Sequence, residues 1–157
     1  MKIILSVLVG AAVLSVAHHP AESIGKKEQK LMKITPILIV DNIEKSLPFW
    51  IDRMGFQKTV ELPEGDRLGF VILTHEGAEL MMQTTASVKK DDPQAAARLA
   101  GGVSSLYIEV PDFEDVLKRL RGYPIAMAER KAFYGMREIG VTEPGGHNVM
   151  FAARVEK

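Results

Sequence analysis

The chain has no cysteine among its 157 residues. That excludes disulfides, thiolate catalysis and cysteine-based zinc sites in any compartment, while leaving the compartment itself open. It also has no surplus of charge: 20 lysine and arginine residues balance 20 aspartate and glutamate residues. With no basic stripe either, nothing supplies the attraction that nucleic acid or an anionic membrane surface requires, so neither is an expected partner. Long apolar runs are missing too. The one extended run, Ile3 to Val16, falls short of the roughly 20 residues of a comfortable membrane span. What remains is an ordinary globular composition, 25% charged, of a length that makes one domain with a sizeable core.

The N-terminal stretch bears on location. Met1 and Lys2 precede the apolar run, and Ser15-Val16-Ala17 places small residues where a secretory cleavage site needs them. Residues 1–17 are therefore expected to be a signal peptide, which implies a periplasmic or extracellular protein. Residues 18–31 carry Pro20, Gly25 and Lys26-Lys27-Glu28-Gln29-Lys30 without apolar periodicity and are expected to be a linker. The alternative is a cytoplasmic protein that starts at Met32.

The remaining residues, 32–157, contain one pattern twice. Val40-Asp41-Asn42-Ile43-Glu44-Lys45-Ser46-Leu47 overlays Val110-Pro111-Asp112-Phe113-Glu114-Asp115-Val116-Leu117, apolar on apolar. The same offset pairs Thr35 with Ser105 and Ile37 with Tyr107. In the first copy, residues 33–85, the apolar and β-branched run from Ile34 to Val40 predicts a strand. Asp41 and Asn42 can cap a helix whose apolar face carries Ile43, Leu47 and Trp50, with Pro48 tolerated or bending it. Gly55 ends that helix, and strands are expected over Phe56–Leu62, Arg67–Thr74 and Ala78–Thr85, with turns at Pro63-Glu64-Gly65-Asp66 and His75-Glu76-Gly77. Residues 86–103 form a connector, charged at first and then helical from Pro93 to Leu99. The second copy, residues 104–157, predicts strand Ser104–Val110, helix Phe113–Leu120 and strands Pro124–Glu129, Gly135–Val141 and Asn148–Val155. This is an α+β fold of two paired βαβββ modules whose mixed sheets curve around a cleft, because a helix on one side leaves the other sheet face uncovered.

Several short motifs occur in order: the V-x-D/N entry at Val40 to Glu44, Phe49-Trp50 followed by Gly55-Phe56, and Phe133-Tyr134-Gly135-Met136-Arg137-Glu138 ahead of Glu143-Pro144-Gly145-Gly146-His147. With the duplication, they resemble the vicinal oxygen chelate superfamily, which includes glyoxalase I, extradiol dioxygenases and bleomycin-resistance binding proteins. The resemblance covers Met32 to Val155. It implies a divalent metal held by His, Gln or Glu at matching positions on the first and last strands of both modules, where such ligands can polarise two adjacent substrate oxygens. Those positions fall here on Thr35 and Ser105, five before each entry valine, and on Glu79 and Met150. Glu79 alone is a strong ligand among them, so no cofactor and no family-type metal are expected. The histidines do not replace the missing ligands, since His18 and His19 fall in the linker while His75 and His147 read as turn residues.

Strand alternation extends the cleft from these positions. Thr35 and Ser105 bring Ile37, Ile39, Tyr107 and Glu109; Glu79 brings Met81 and Gln83; Met150 brings Asn148 and Ala152. Trp50, Tyr134 and Arg137 complete the expected lining, Arg137 and Glu138 at the edge and Tyr134 as a cover. A few polar groups among adaptable methionines suit a small organic ligand. The expected function is metal-independent small-molecule binding by a homodimer, with Glu79 attracting a cationic group or acting as a base of raised pKa. The alternative is a lyase, isomerase or dioxygenase-type enzyme using Glu79 with an atypical or absent metal.

Overall fold

The computed structural model describes residues 33–99 and 101–155. The expected signal peptide and linker lie outside them. Among the described residues, eight strands form two four-stranded sheets, ordered β1-β4-β3-β2 and β5-β8-β7-β6. The first contains β1 (Ile37–Val40), β2 (Gln57–Glu64), β3 (Arg67–His75) and β4 (Ala78–Thr84); the second contains β5 (Ser105–Glu109), β6 (Met127–Lys131), β7 (Met136–Thr142) and β8 (Asn148–Arg154). Each opens with a parallel pair, β1 with β4 and β5 with β8, and continues antiparallel. The expected duplication is thus present as two mixed sheets of one topology.

Helices cover one face of each sheet. In α1 (Ile43–Leu47) the Asn42 carboxamide accepts from the Lys45 amide at 2.9 Å, which satisfies one free donor of the first turn. Pro48 has no N–H to continue the α-helical ladder, and the chain widens there into a π-helical segment, Pro48–Arg53. The wider turn carries the adjacent Phe49 and Trp50 both into the core, packed edge to face with centroids 5.1 Å apart. Gly55, at φ +83°, then reverses the chain as only glycine does cheaply. In the second module Asp112 caps α4 (Phe113–Arg119) in the manner of Asn42. Against these helices pack Leu38, Val71, Leu73 and Met82 of the first sheet and Ile139, Val141, Val149 and Phe151 of the second, all within one core.

Several boundaries differ from the sequence expectation by one or more residues. The first strand begins at Ile37, because Pro36 cannot donate to the ladder. The fourth strand stops at Thr84, whose hydroxyl accepts from the Ser87 amide at 3.0 Å and caps an unforeseen helix α2 (Thr85–Asp91) ahead of α3 (Pro93–Leu99). The sixth strand runs Met127–Lys131 instead of Pro124–Glu129.

The modules are joined by the loop Glu143 to His147. The His147 imidazole is buried, and its Nδ1 accepts from the Ser104 amide at 3.0 Å. That leaves Nε2 as the protonated nitrogen, which donates to the Ile39 carbonyl in the other module at 3.0 Å. Gly145 lies against Val40 and Ser46, so closely that a Cβ there would sit 2.5 Å from Val40 Cγ1. Arg53 donates to the Arg119 carbonyl, and Arg119 returns a bond to the Arg53 carbonyl at 3.1 Å. His147 was expected to be a simple turn residue; it is instead a buried bridge between the modules. Gly145→Ala should lower unfolding free energy by about 1–3 kcal/mol through overpacking, measured by urea denaturation. Unchanged stability would mean that the loop does not hold the modules together.

Candidate functional site

Cross-strand register gives the sheet face opposite the helices. On the first module one row runs Leu62–Phe70–Gln83–Ile39 and the next Val60–Ile72–Met81–Ile37. A third row contains Thr74 and Glu79, the latter bonded to Thr35. On the second module the rows are Thr142–Asn148–Ser105, Met127–Gly140–Met150–Tyr107 and Arg130–Glu138–Ala152–Glu109. This face is only partly covered, with Ile37 49% exposed, Leu62 57% and Tyr107 47%.

Most of the expected lining lies on it: Thr35, Ile37, Glu79, Met81, Gln83, Ser105, Tyr107, Glu109 and Met150. Gln83 is already engaged by α2, donating to Ser87 and to Asp91 at 3.1 Å each. Arg137 is not on this face. It shares its side of the sheet with Ile139 and Val141, lies against the Phe113 ring, and is held by Glu129 at 2.5 Å and Glu114 at 2.6 Å. These two carboxylates raise its pKa further. Trp50 is fully buried on the helix side, and its indole N–H has no hydrogen-bond partner among the described residues.

The position equivalent to Glu79 also needs correction. Ile37 pairs with Met81 and Tyr107 with Met150, so Met150 corresponds to Met81, and Asn148, beside Ser105, corresponds to Glu79. The candidate metal donors are then Thr35, Glu79, Ser105 and Asn148. One carboxylate, two hydroxyls and an amide do not fit a nickel, zinc or iron site. Among the described residues, no group of three or more His, Cys, Asp or Glu side chains is placed to hold a metal.

Glu79 is engaged as well. It accepts from Lys33 Nζ at 2.8 Å and from the Thr35 hydroxyl at 3.2 Å. The Lys33 hydrogen bond lowers its pKa, against partial desolvation and with help from Thr35. The expected base of raised pKa is therefore not what the geometry builds, because a cation beside a carboxylate favours its charged form.

The carboxylate that sequence reasoning left at the cleft edge, Glu138, is the more deeply placed one. Its side chain is fully buried beneath Arg130 and two tyrosines. It accepts from Tyr134, from Arg130 Nε at 2.9 Å and from Tyr107 at 3.2 Å. The Tyr134 hydrogen bond is the main cause of its lowered pKa, with Arg130 and Tyr107 adding to it and burial opposing. Parity gave the available signal: Arg137 shares alternation with apolar Ile139 and Val141, which places Glu138 on the other face.

A family model described as the Glyoxalase/Bleomycin resistance protein/Dioxygenase superfamily matches residues 31–151. The chain belongs to that superfamily. Solved structures with a similar fold include a lactoylglutathione lyase from Agrobacterium tumefaciens, 16% identical with TM-score 0.62, covering 80% of this chain and 95% of that one. The bleomycin resistance determinant encoded on the transposon Tn5 is 17% identical with TM-score 0.59, covering 80% and 100%. A bleomycin-binding protein from Streptomyces verticillus, complexed with copper(II)-bleomycin, is 22% identical with TM-score 0.57, covering 82% and 99%. Identities this low establish a common fold and nothing finer. A sequence comparison with curated proteins finds no match.

All three tyrosines have raised pKa values: Tyr107 to about 12, mainly by desolvation and then Glu138; Tyr134 by its bond to Glu138; and Tyr123 by burial. A raised folded value means that the neutral phenol is favoured by folding. This stabilisation is complete below the ordinary value of 10.0 and is lost as pH rises through about 12 for Tyr107. Phenolate absorbance should therefore show no tyrosine titrating at its ordinary value. Glu138→Gln should return Tyr107 and Tyr134 toward it while leaving Tyr123 raised; unchanged titration would separate Glu138 from the tyrosines.

Proposed function

We propose that this chain binds a small organic molecule in an apolar cleft without a family-type metal, and that a second copy completes the cleft. The partly exposed sheet face carries this reading. Its rows of Leu, Ile, Val and Met, with a few fixed polar groups, have the composition of a small-molecule site. A sheet with one bare apolar face needs a second layer, and a second copy can supply it. The structurally similar proteins include a bleomycin-binding protein as well as a lactoylglutathione lyase, so the fold is compatible with a binding role. The poor donor set and the Lys33–Glu79 pair weigh the same way. Export, as read from the N-terminal segment, would make this a scavenger outside the cytoplasm. Among the described residues no helix is long and apolar enough to cross a membrane.

Light scattering should give the mass of a dimer, and Ile37→Lys, on the bare face, should give a folded monomer. A thermal-shift screen of metabolites and antibiotics, beginning with metal-free and copper-loaded bleomycin, should identify a ligand. A ligand present at 100 times its Kd stabilises the folded state by about 2.7 kcal/mol. Glu79→Gln should leave that ligand's Kd within about threefold, since the carboxylate is already engaged by Lys33 and Thr35 and a partly exposed ion pair contributes little. Stoichiometric nickel, zinc, manganese or iron in purified protein would overturn the binding reading in favour of an enzyme.

A further inference from the structure

We propose, building on the small-molecule reading above, that the ligand of the cleft is an alkylated ammonium cation, held by the aromatic rings and the free carboxylate of the second module's bare face. Tyr107 and Tyr134 reach the same oxygen, Oε1 of Glu138, the first from β5 at 3.2 Å and the second from the turn ahead of β7. A carboxylate oxygen accepts, so each phenol has spent its single O–H there. The two residues nevertheless stay 47% and 50% exposed. Phe133, packed edge to face on Tyr134 with centroids 5.0 Å apart, is fully exposed. These three residues therefore offer a ligand π faces and oxygen lone pairs, and both attract positive charge.

The charges on this face point the same way. Glu138 is paired with Arg130, and Glu79 with Lys33. Glu109 is exposed and takes part in none of the salt bridges found among the described residues. It follows Tyr107 by two residues on β5, so the two side chains leave the same side of the sheet about 7 Å apart. A cation over the Tyr107 ring is thus within reach of the Glu109 carboxylate. Arg130 stands three strand spacings from Glu109 in the row Arg130–Glu138–Ala152–Glu109, on the order of 14 Å, and Glu138 balances its charge. The attraction for a cation that the sequence attached to Glu79 therefore belongs to Glu109. Ring faces present no directed acceptor to an N–H, which favours a cation whose charge is spread over methyl or methylene groups.

The chain has three tyrosines. Tyr123, whose hydroxyl donates to the Thr142 carbonyl at 2.8 Å, lies outside the wall and serves as a control. With ¹³C-labelled tyrosine rings in the full chain, choline should shift the Tyr107 and Tyr134 signals saturably and leave Tyr123 unmoved. Its neutral isostere, 3,3-dimethylbutan-1-ol, should bind about tenfold more weakly. Glu109→Gln, an exposed change that leaves the core intact, should weaken choline about fivefold, the upper range for an exposed ion pair. Tyr134→Leu, read on Tyr107, should weaken it about fourfold, whereas Tyr134→Phe, which keeps the ring, should stay within about twofold. Choline that leaves both signals in place, or that binds no better than the alcohol, would overturn the cation proposal. So would wild-type affinity in both Glu109→Gln and Tyr134→Leu. In each of these cases a neutral or anionic compound that moves the Tyr107 and Tyr134 signals keeps the small-molecule reading standing; signals that no compound moves would overturn both.

Discussion

Each sheet in this protein has only one face covered by its own helices, and most of the architecture follows from that. A four-stranded sheet with a helix on one side buries half of its side chains and leaves the rest to find another layer. The covered half is apolar: Leu38, Val71, Leu73 and Met82 in one module, Ile139, Val141, Val149 and Phe151 in the other. The bare half mixes apolar residues with polar ones, several of them already bonded to a neighbour: Glu79 to Thr35 and Lys33, Gln83 to α2, Glu138 to its tyrosines and arginine. Polar groups tied down in this way can tolerate being covered, because their hydrogen bonds go with them.

For the two bare faces to be presented together, the modules must be fixed to each other, and this is the physical role of the Glu-Pro-Gly-Gly-His segment. His147 spends one ring nitrogen on its own module and the other on the end of β1. Such an arrangement requires the neutral ring in a single tautomer. Gly145 admits Val40 and Ser46 at a distance no side chain would permit. The tight loop therefore sets the junction by hydrogen bonding and close packing together.

Much of this was legible in the sequence, because helix capping and strand alternation are local. Asn42 and the glycine turns marked element ends correctly, and the repeat predicted the common topology. Four readings failed, most of them where the deciding contact was not local. Thr84 turned from strand residue to helix cap, which depends on where the β4 ladder ends. Met150 was matched to Glu79, but register with Tyr107 shows the match to be Asn148. Arg137 was placed in the cleft although its parity is that of Ile139 and Val141, and the charge was explained only once Glu114 and Glu129 were seen beside it. His147 was read as a turn residue because its partners, Ile39 and Ser104, are distant in sequence.

The duplication also shows how the copies have diverged. The row Leu62–Phe70–Gln83–Ile39 in the first module corresponds to Arg130–Glu138–Ala152–Glu109 in the second, so an apolar strip faces outward from one copy and a charged one from the other. In the dimer proposed above, a cleft that opposes the first module of one chain to the second module of its partner has one greasy wall and one polar wall. Contact between two first modules would bring apolar strips together and leave both Glu138 clusters outside. The buried Glu138, with its donors already fixed by Tyr134, Tyr107 and Arg130, gives the polar wall a preorganised set of hydrogen-bonding groups that needs little ordering when a ligand arrives. In that proposal, divergence between the repeats supplies an unsymmetrical surface able to orient a ligand.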